Sequence, residues 1–83
     1  MKTNVKTVLV TGGSSGIGAA TARLLCDAGM TVYAASRRGK APEGSSQNVN
    51  MIPVVMDVND AEAIAVVVER IVRERGSLDA VVC

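Results

Sequence analysis

Apolar runs rich in β-branched residues alternate with amphipathic stretches along the chain. The first run, at 6–10, has an uninterrupted apolar core, which predicts a parallel strand buried on both faces. Apolar residues then recur at three- and four-residue steps from 17 to 28 and predict a helix. Its expected buried stripe comprises Ile17, Ala20, Leu24, Leu25 and Ala28. Gly29 is expected to end this helix, and 30–35 to form a second strand.

The second half of the chain repeats the order strand, helix, strand. The predicted third strand, 49–56, contains Pro53, which cannot donate to a sheet ladder and therefore favours a sheet edge. Asn59 is the expected N-cap of the next helix, with Glu62 three residues later as in a capping box. This helix is expected to end at Gly76 and to be followed by a fourth strand at 78–83. Its expected buried stripe consists of Ile64, Val67, Val68, Ile71 and Val72.

These elements predict one α/β domain over 1–83, a doubly wound parallel sheet of the Rossmann type. A basic loop at 36–48 stands where a helix often links the second and third strands. The expected strand order is 3-2-1-4, because an edge position for the third strand places the fourth beside the first. The direction of strand addition then reverses, and this reversal makes a crevice at the carboxyl ends of the strands.

Composition narrows the classes of function. The net charge of +1 and a single aromatic residue, Tyr33, argue against nucleic-acid binding. No apolar run reaches the ~20 residues that span a bilayer, and no signal-peptide core precedes the first strand. The chain has no His and its two cysteines, Cys26 and Cys83, are far apart, which excludes a Cys/His zinc site within it. Buried free thiols and a cytoplasmic location are therefore expected.

The stretch from Thr11 to Gly18 is the main candidate for binding chemistry. It joins a buried strand to a helix, and the start of a helix attracts phosphate through unpaired N–H groups and the macrodipole. Glycines allow the backbone to approach such a ligand closely. The alternative is a strand-to-helix turn with incidental glycines, since a lone glycine motif is weakly specific.

Three ordered matches give the chain a resemblance to the short-chain dehydrogenase/reductase family. Thr11-Gly12-x-x-x-Gly16-Ile17-Gly18 resembles the family's cofactor signature. Asp57-Val58 after the third strand and Leu78-Asp79-Ala80-Val81-Val82 in the fourth are similar to the family at the expected distances.

The resemblance implies a cofactor-binding role for two groups of residues. It implies that Gly12, Gly16 and Gly18 shape the first turn and that the backbone near Ile17 faces the pyrophosphate. Ser14 and Ser15 belong to the same phosphate turn. The resemblance also implies that the Asp57 carboxylate accepts a hydrogen bond from adenine and that the Val58 backbone contacts the ring. The alternative for Asp57 is a turn carboxylate before Asn59. Asp79 is expected only to help hold the fourth strand.

The residues after the second strand predict the cofactor. Sites that prefer NAD usually place Asp or Glu there to bind the ribose 2′-hydroxyl. Ser36 occupies that place, followed by Arg37 and Arg38. A guanidinium suits a 2′-phosphate, so NADP(H) is predicted, with Ser36 and Arg37 as the phosphate site and Arg38 as a flanking charge. The alternative is a solvated basic turn.

No catalytic residue is expected in this chain. The family's Asn-Ala-Gly motif, catalytic Ser and Tyr-x-x-x-Lys are missing, and Tyr33 has no Lys four residues later. The resemblance therefore implies the N-terminal, cofactor-binding part of a homo-oligomeric oxidoreductase that acts on a carbonyl or secondary alcohol, with the rest of the enzyme following Cys83. The alternatives are a stand-alone nucleotide-binding module and a methyltransferase. The basic turn argues against the methyltransferase, because the ribose of S-adenosylmethionine is neutral.

Overall fold

The computed structural model describes residues 5–13, 16–42 and 49–83 as a four-stranded sheet with two helices. All strand pairs are parallel and the order is 3-2-1-4, which confirms the predicted topology. Strand β2 pairs with β1 from Thr7↔Thr31 to Thr11↔Ala35 and with β3 from Val32↔Met51 to Ser36↔Val55. The elements are β1 Thr7–Thr11, α1 Gly16–Asp27, β2 Thr31–Ser36, β3 Met51–Val55, α2 Ala61–Arg75 and β4 Ala80–Val82.

Each helix covers one face of the sheet. Successive strand residues point to opposite faces, so Val8 and Val10 pack in the cluster that contains Ala22 and Cys26 of α1. Leu9 and Tyr33 lie in the other cluster, with Val67 and Ile71 of α2. The central strands are therefore buried on both sides, as the unbroken apolar run predicts for β1.

Pro53 lies in an edge strand, as predicted, because β3 pairs only with β2 among the described strands. Gly29 and Gly76 follow the two helices with φ of +95° and +89°, the left-handed conformation expected there. Asp79 joins the first and fourth strands: its Oδ2 accepts a hydrogen bond from the N–H of Thr7 at 2.7 Å, and its own N–H donates to the Thr7 carbonyl. This is the structural role expected of Asp79.

The structure corrects the predicted start of α2. The N-cap is Asp60, whose Oδ1 accepts hydrogen bonds from the N–H groups of Glu62 and Ala63. Asn59 lies one residue too early and belongs to the preceding turn, where its N–H donates to the Asp57 carboxylate. Within the predicted stripe, Val67 and Ile71 are buried and Val72 is exposed.

The predicted buried stripe of α1 is wrong at four of its five positions. Ile17 and Leu24 are 87% and 70% exposed, and Ala20 and Ala28 are exposed as well. The face that meets the sheet consists of Ala19, Ala22 and Cys26, with Leu25 partly buried beside them. The exposed Cys83 also departs from the expected burial of both thiols, although both cysteines are free.

Two features are absent from the described residues, a membrane-spanning helix and a cluster of metal ligands. Neither α1 nor α2, the helices of that part of the chain, combines the length and apolar character needed to cross a membrane. The same residues bring together no group of three His, Cys, Asp or Glu side chains suited to a metal ion.

Candidate cofactor-binding site

The turn after β1 requires glycine for two reasons, a positive φ at Gly12 and a close backbone contact at Gly18. Gly12 has φ of +66°, and Gly13 donates a hydrogen bond to the Ala35 carbonyl at 3.0 Å. A Cβ on Gly18 would overlap the carbonyl oxygen of Gly12 and come within 2.7 Å of its carbon. The first turn of α1 therefore lies directly against the backbone that leaves β1. Ser14 and Ser15, which complete the predicted motif, lie outside the described residues.

The start of α1 offers backbone donors in an exposed position. The helix begins at Gly16, whose φ is +62°, and Ile17 next to it is 87% exposed. The first N–H groups of a helix have no acceptor within it, and the first turn of α1 carries no acidic side chain that would compensate its positive end. This helix terminus can therefore hold an anion.

A tight basic turn follows β2. The N–H of Gly39 donates to the carbonyl of Ser36 at 3.3 Å and to its Oγ at 2.9 Å. Ser36 is buried, whereas Arg37 and Arg38, in the middle of the turn, are exposed. The turn thus holds two guanidinium groups in solvent at the carboxyl end of the sheet.

Asp57 closes the turn between β3 and α2. Its Oδ1 accepts a hydrogen bond from the N–H of Asn59 at 2.9 Å, so the turn role weighed for this residue is present. That bond does not use Oδ2. Val58 beside it is 53% exposed. Asp57 can therefore stabilise its turn and still accept a hydrogen bond from a ligand.

One cleft of about 1040 Å³ brings most of the predicted site residues together. Six of them line it, namely Gly12, Ser36, Arg37, Arg38, Asp57 and Val58. The lining does not include Gly16, Ile17 and Gly18, which belong to the adjoining start of α1. Lys40, Ala41, Met56 and Asn59 also line the cleft and were not predicted as site residues. The sequence signal that could have identified Lys40 as a site residue is its positive charge, two residues after the pair Arg37 and Arg38.

The cleft wall carries three cations and one carboxylate among its described residues. Arg37, Arg38 and Lys40 supply the positive charges, and Asp57 supplies the negative one. The balance favours an anionic ligand, because guanidinium and ammonium groups donate strong hydrogen bonds to phosphate. The carboxylate stands apart on the turn after β3 and can accept a hydrogen bond from an uncharged group.

Tyr33 takes no part in this cleft. It is fully buried in β2, and its hydroxyl donates to Glu74 Oε1 at 2.7 Å and accepts from Arg75 Nε at 3.2 Å. Burial, followed by the bond to Glu74, raises the pKa of Tyr33. The bonds from Tyr33 and Arg70 lower the pKa of Glu74. Tyr33 therefore connects α2 to the sheet.

The parallel sheet, the reversal between β1 and β4 and the glycine turn at that point define a Rossmann-type α/β protein. The model of the short-chain dehydrogenase family matches residues 6–83. The chain belongs to this family of oxidoreductases, which use nicotinamide dinucleotide cofactors.

Individual relatives agree with this assignment. A short-chain dehydrogenase structure from Streptomyces avermitilis superimposes with a TM-score of 0.85 at 34% identity, covering 98% of this chain and 30% of that one. An uncharacterized oxidoreductase from Mycobacterium tuberculosis is 35% identical over an alignment of 82 positions, which covers 89% of this chain and 24% of that protein. A 3-ketodihydrosphingosine reductase from Bacteroides thetaiotaomicron is 36% identical over 75 residues, 90% of this chain and 26% of its own length. The chain thus spans about a quarter of these two curated relatives.

Proposed function

We propose that the chain is the dinucleotide-binding part of an NADP(H)-dependent oxidoreductase. In the complete enzyme, hydride would pass between the cofactor and a carbonyl or secondary alcohol. The observation that carries the proposal is the cleft wall at the carboxyl end of β2, where Arg37, Arg38 and Lys40 stand together. NAD-preferring sites usually have a carboxylate at the position of Ser36, and that carboxylate would repel a 2′-phosphate.

The proposal assigns three groups of the cofactor, the 2′-phosphate, the pyrophosphate and adenine, to different parts of the site. Ser36 and Arg37 bind the 2′-phosphate, with Arg38 adding charge at its side. The backbone of Gly12, Gly16, Ile17 and Gly18 meets the pyrophosphate, together with Ser14 and Ser15. Adenine lies by Asp57 and Val58, on the other wall of the same cleft. No aromatic side chain is among the described residues that line the cleft. Each proposed contact is therefore a hydrogen bond, a charge interaction or an apolar contact.

The proposal places the catalytic residues in the part of the enzyme that follows Cys83. The curated relatives are about four times as long as the segment they share with this chain. Tyr33 is committed to Glu74 and Arg75 in the core, so it offers no acid or base to a substrate. The proposal retains a homo-oligomeric, cytoplasmic enzyme, as expected from the sequence.

Calorimetric titration of the protein with 2′,5′-ADP and with 5′-AMP tests the cofactor assignment. The two ligands differ only in the 2′-phosphate. Hydrogen bonds to charged groups contribute about 1.5–3 kcal/mol each, so a preference for 2′,5′-ADP of at least ~10-fold is expected. The preference should shrink as salt is added, because the guanidinium groups are exposed. Equal affinities would refute the assignment to NADP.

Intact-mass spectrometry of the protein purified from its source tests whether the catalytic residues follow this segment on the same polypeptide. A longer polypeptide that carries Tyr-x-x-x-Lys after this segment, and that oxidises NADPH with a carbonyl substrate, is the expected result. A homogeneous 83-residue species without oxidoreductase activity would instead support a stand-alone nucleotide-binding module.

A further inference from the structure

The basic turn after β2 is held in place by Gly39. The N–H of this residue donates both to the carbonyl and to the hydroxyl of Ser36, and its φ is +67°. The Ser36 carbonyl also accepts the N–H of Met56 at 2.9 Å. Ser36, the last residue of β2, therefore accepts hydrogen bonds both from the turn, at Gly39, and from Met56, which follows β3.

The packing at Gly39 has no space for a side chain. A Cβ on this residue would lie 2.6 Å from Cγ2 of Val55 and 3.6 Å from its backbone nitrogen. The φ of Gly39 is also in the left-handed region, where a side chain is strained. Two independent constraints therefore favour glycine at this position.

Lys40 is held on the cleft wall between two fixed points. Gly39 before it rests on Val55, and Pro42 after it is fully buried. Lys40 and Ala41 between them line the cleft, as Arg37 and Arg38 do. The chain thus bends back after the two arginines, and Lys40 becomes the third cation among the residues that line the cleft.

We propose that the turn closed at Gly39 makes Lys40 the third cation of the 2′-phosphate site. Gly39 is then a positioning residue and Lys40 a specificity-determining one, an inference that rests on the proposed binding of NADP(H). A phosphate monoester carries a charge of about −1.5 to −2 at neutral pH. Its three oxygens accept hydrogen bonds, and a flexible ammonium complements the planar forks of the two arginines there.

Lys40→Gln tests the cation in the full chain, by calorimetry with 2′,5′-ADP and 5′-AMP. The substitution keeps much of the side chain and removes its charge. Affinity for 2′,5′-ADP should fall about tenfold, while affinity for 5′-AMP stays the same. Lys6→Gln is the matched control, because Lys6 is exposed before β1 and does not line the cleft. It should leave the ratio of the two affinities unchanged.

Gly39→Ala tests the positioning role with the same two ligands. The ratio of affinities should fall, and Val55→Ala in the same chain should restore part of it by removing the atom that the new Cβ meets. Val55→Ala alone should have no effect on the ratio, since Val55 is 68% exposed and does not line the cleft. Loss of fold alone would weaken both ligands equally.

The outcomes separate this inference from the proposed function. A wild-type preference for 2′,5′-ADP that Lys40→Gln leaves intact overturns the inference and keeps the proposal of NADP. An unchanged ratio in Gly39→Ala overturns the positioning role, whether or not Lys40 contributes. A wild type without any preference overturns the proposed cofactor and, with it, the inference.

Discussion

Gly18→Ala is the substitution for which the structure predicts a sign opposite to that of helix propensity. Ala is favoured over Gly in a helix by about 1 kcal/mol, so propensity alone predicts stabilisation. The new Cβ would overlap the Gly12 carbonyl oxygen and approach its carbon to 2.7 Å. Both atoms are backbone, so the helix or the turn must move. Overpacking costs about 1–3 kcal/mol, and the severity of this overlap favours the upper end.

The net expectation is a loss of about 2 kcal/mol in the free energy of unfolding. Urea unfolding followed by far-UV circular dichroism measures it. With a slope of about 1.5 kcal/mol per M, the midpoint should fall by about 1.3 M. Ala20→Gly is the control, because Ala20 is an exposed position in the same helix and reports the propensity difference alone. If Gly18→Ala is as stable as the wild type or more stable, the close approach of α1 to the turn is refuted.

Four further predictions concern the basic turn and the contacts of Tyr33 with Glu74 and Arg75. Arg37→Asp should lower the ratio of NADPH to NADH affinity by about 100-fold, with the exposed Arg73→Asp as control; an unchanged ratio would contradict the phosphate assignment. Tyr33→Phe should cost about 1 kcal/mol in urea unfolding, because the hydroxyl bound to Glu74 and Arg75 is lost. In the wild type, the tyrosinate absorbance of this only aromatic residue should titrate above the ordinary tyrosine pKa, and stability should fall as pH rises through that raised pKa. Glu74 has a lowered pKa, so its contribution is present above the ordinary glutamate pKa and disappears as pH falls through the lowered value. Glu74→Gln should therefore flatten the acid side of the stability profile more than Glu69→Gln, whose side chain is 81% exposed; equal profiles would refute the role of the Tyr33 bond.

The sheet was predictable because its signals are local and repeated. Unbroken apolar runs identify β1 and β2 as central strands, and Pro53 identifies β3 as an edge strand. The strand order then follows from one placement, with β4 beside β1. The gathering of Ser36, Asp57 and Gly12 at one cleft was predictable for the same reason, because the carboxyl ends of parallel strands share one edge.

The contacts that depend on three-dimensional packing were not predictable in the same way. Lys40 joins the cleft only because Gly39 turns the chain back against Val55, a residue 16 positions away in the sequence. Similarly, Asp60 rather than Asn59 caps α2, and Asn59 belongs to the preceding turn, where its N–H donates to Asp57. In both cases a polar or charged residue is visible in the sequence, and the backbone hydrogen bonds around it decide its role.

The orientation of α1 about its axis shows how one close contact can outweigh a hydrophobic pattern. Gly18 lies against the Gly12 carbonyl, and this contact fixes which side of the helix faces the sheet. Residues four and eight positions later, Ala22 and Cys26, lie on that side and are buried. Ile17 and Leu24 project from other sides of the helix and remain exposed, although they are the more hydrophobic residues. The spacing of the small residues at 18, 22 and 26 was thus the better signal, because only small side chains permit the close approach that the turn requires.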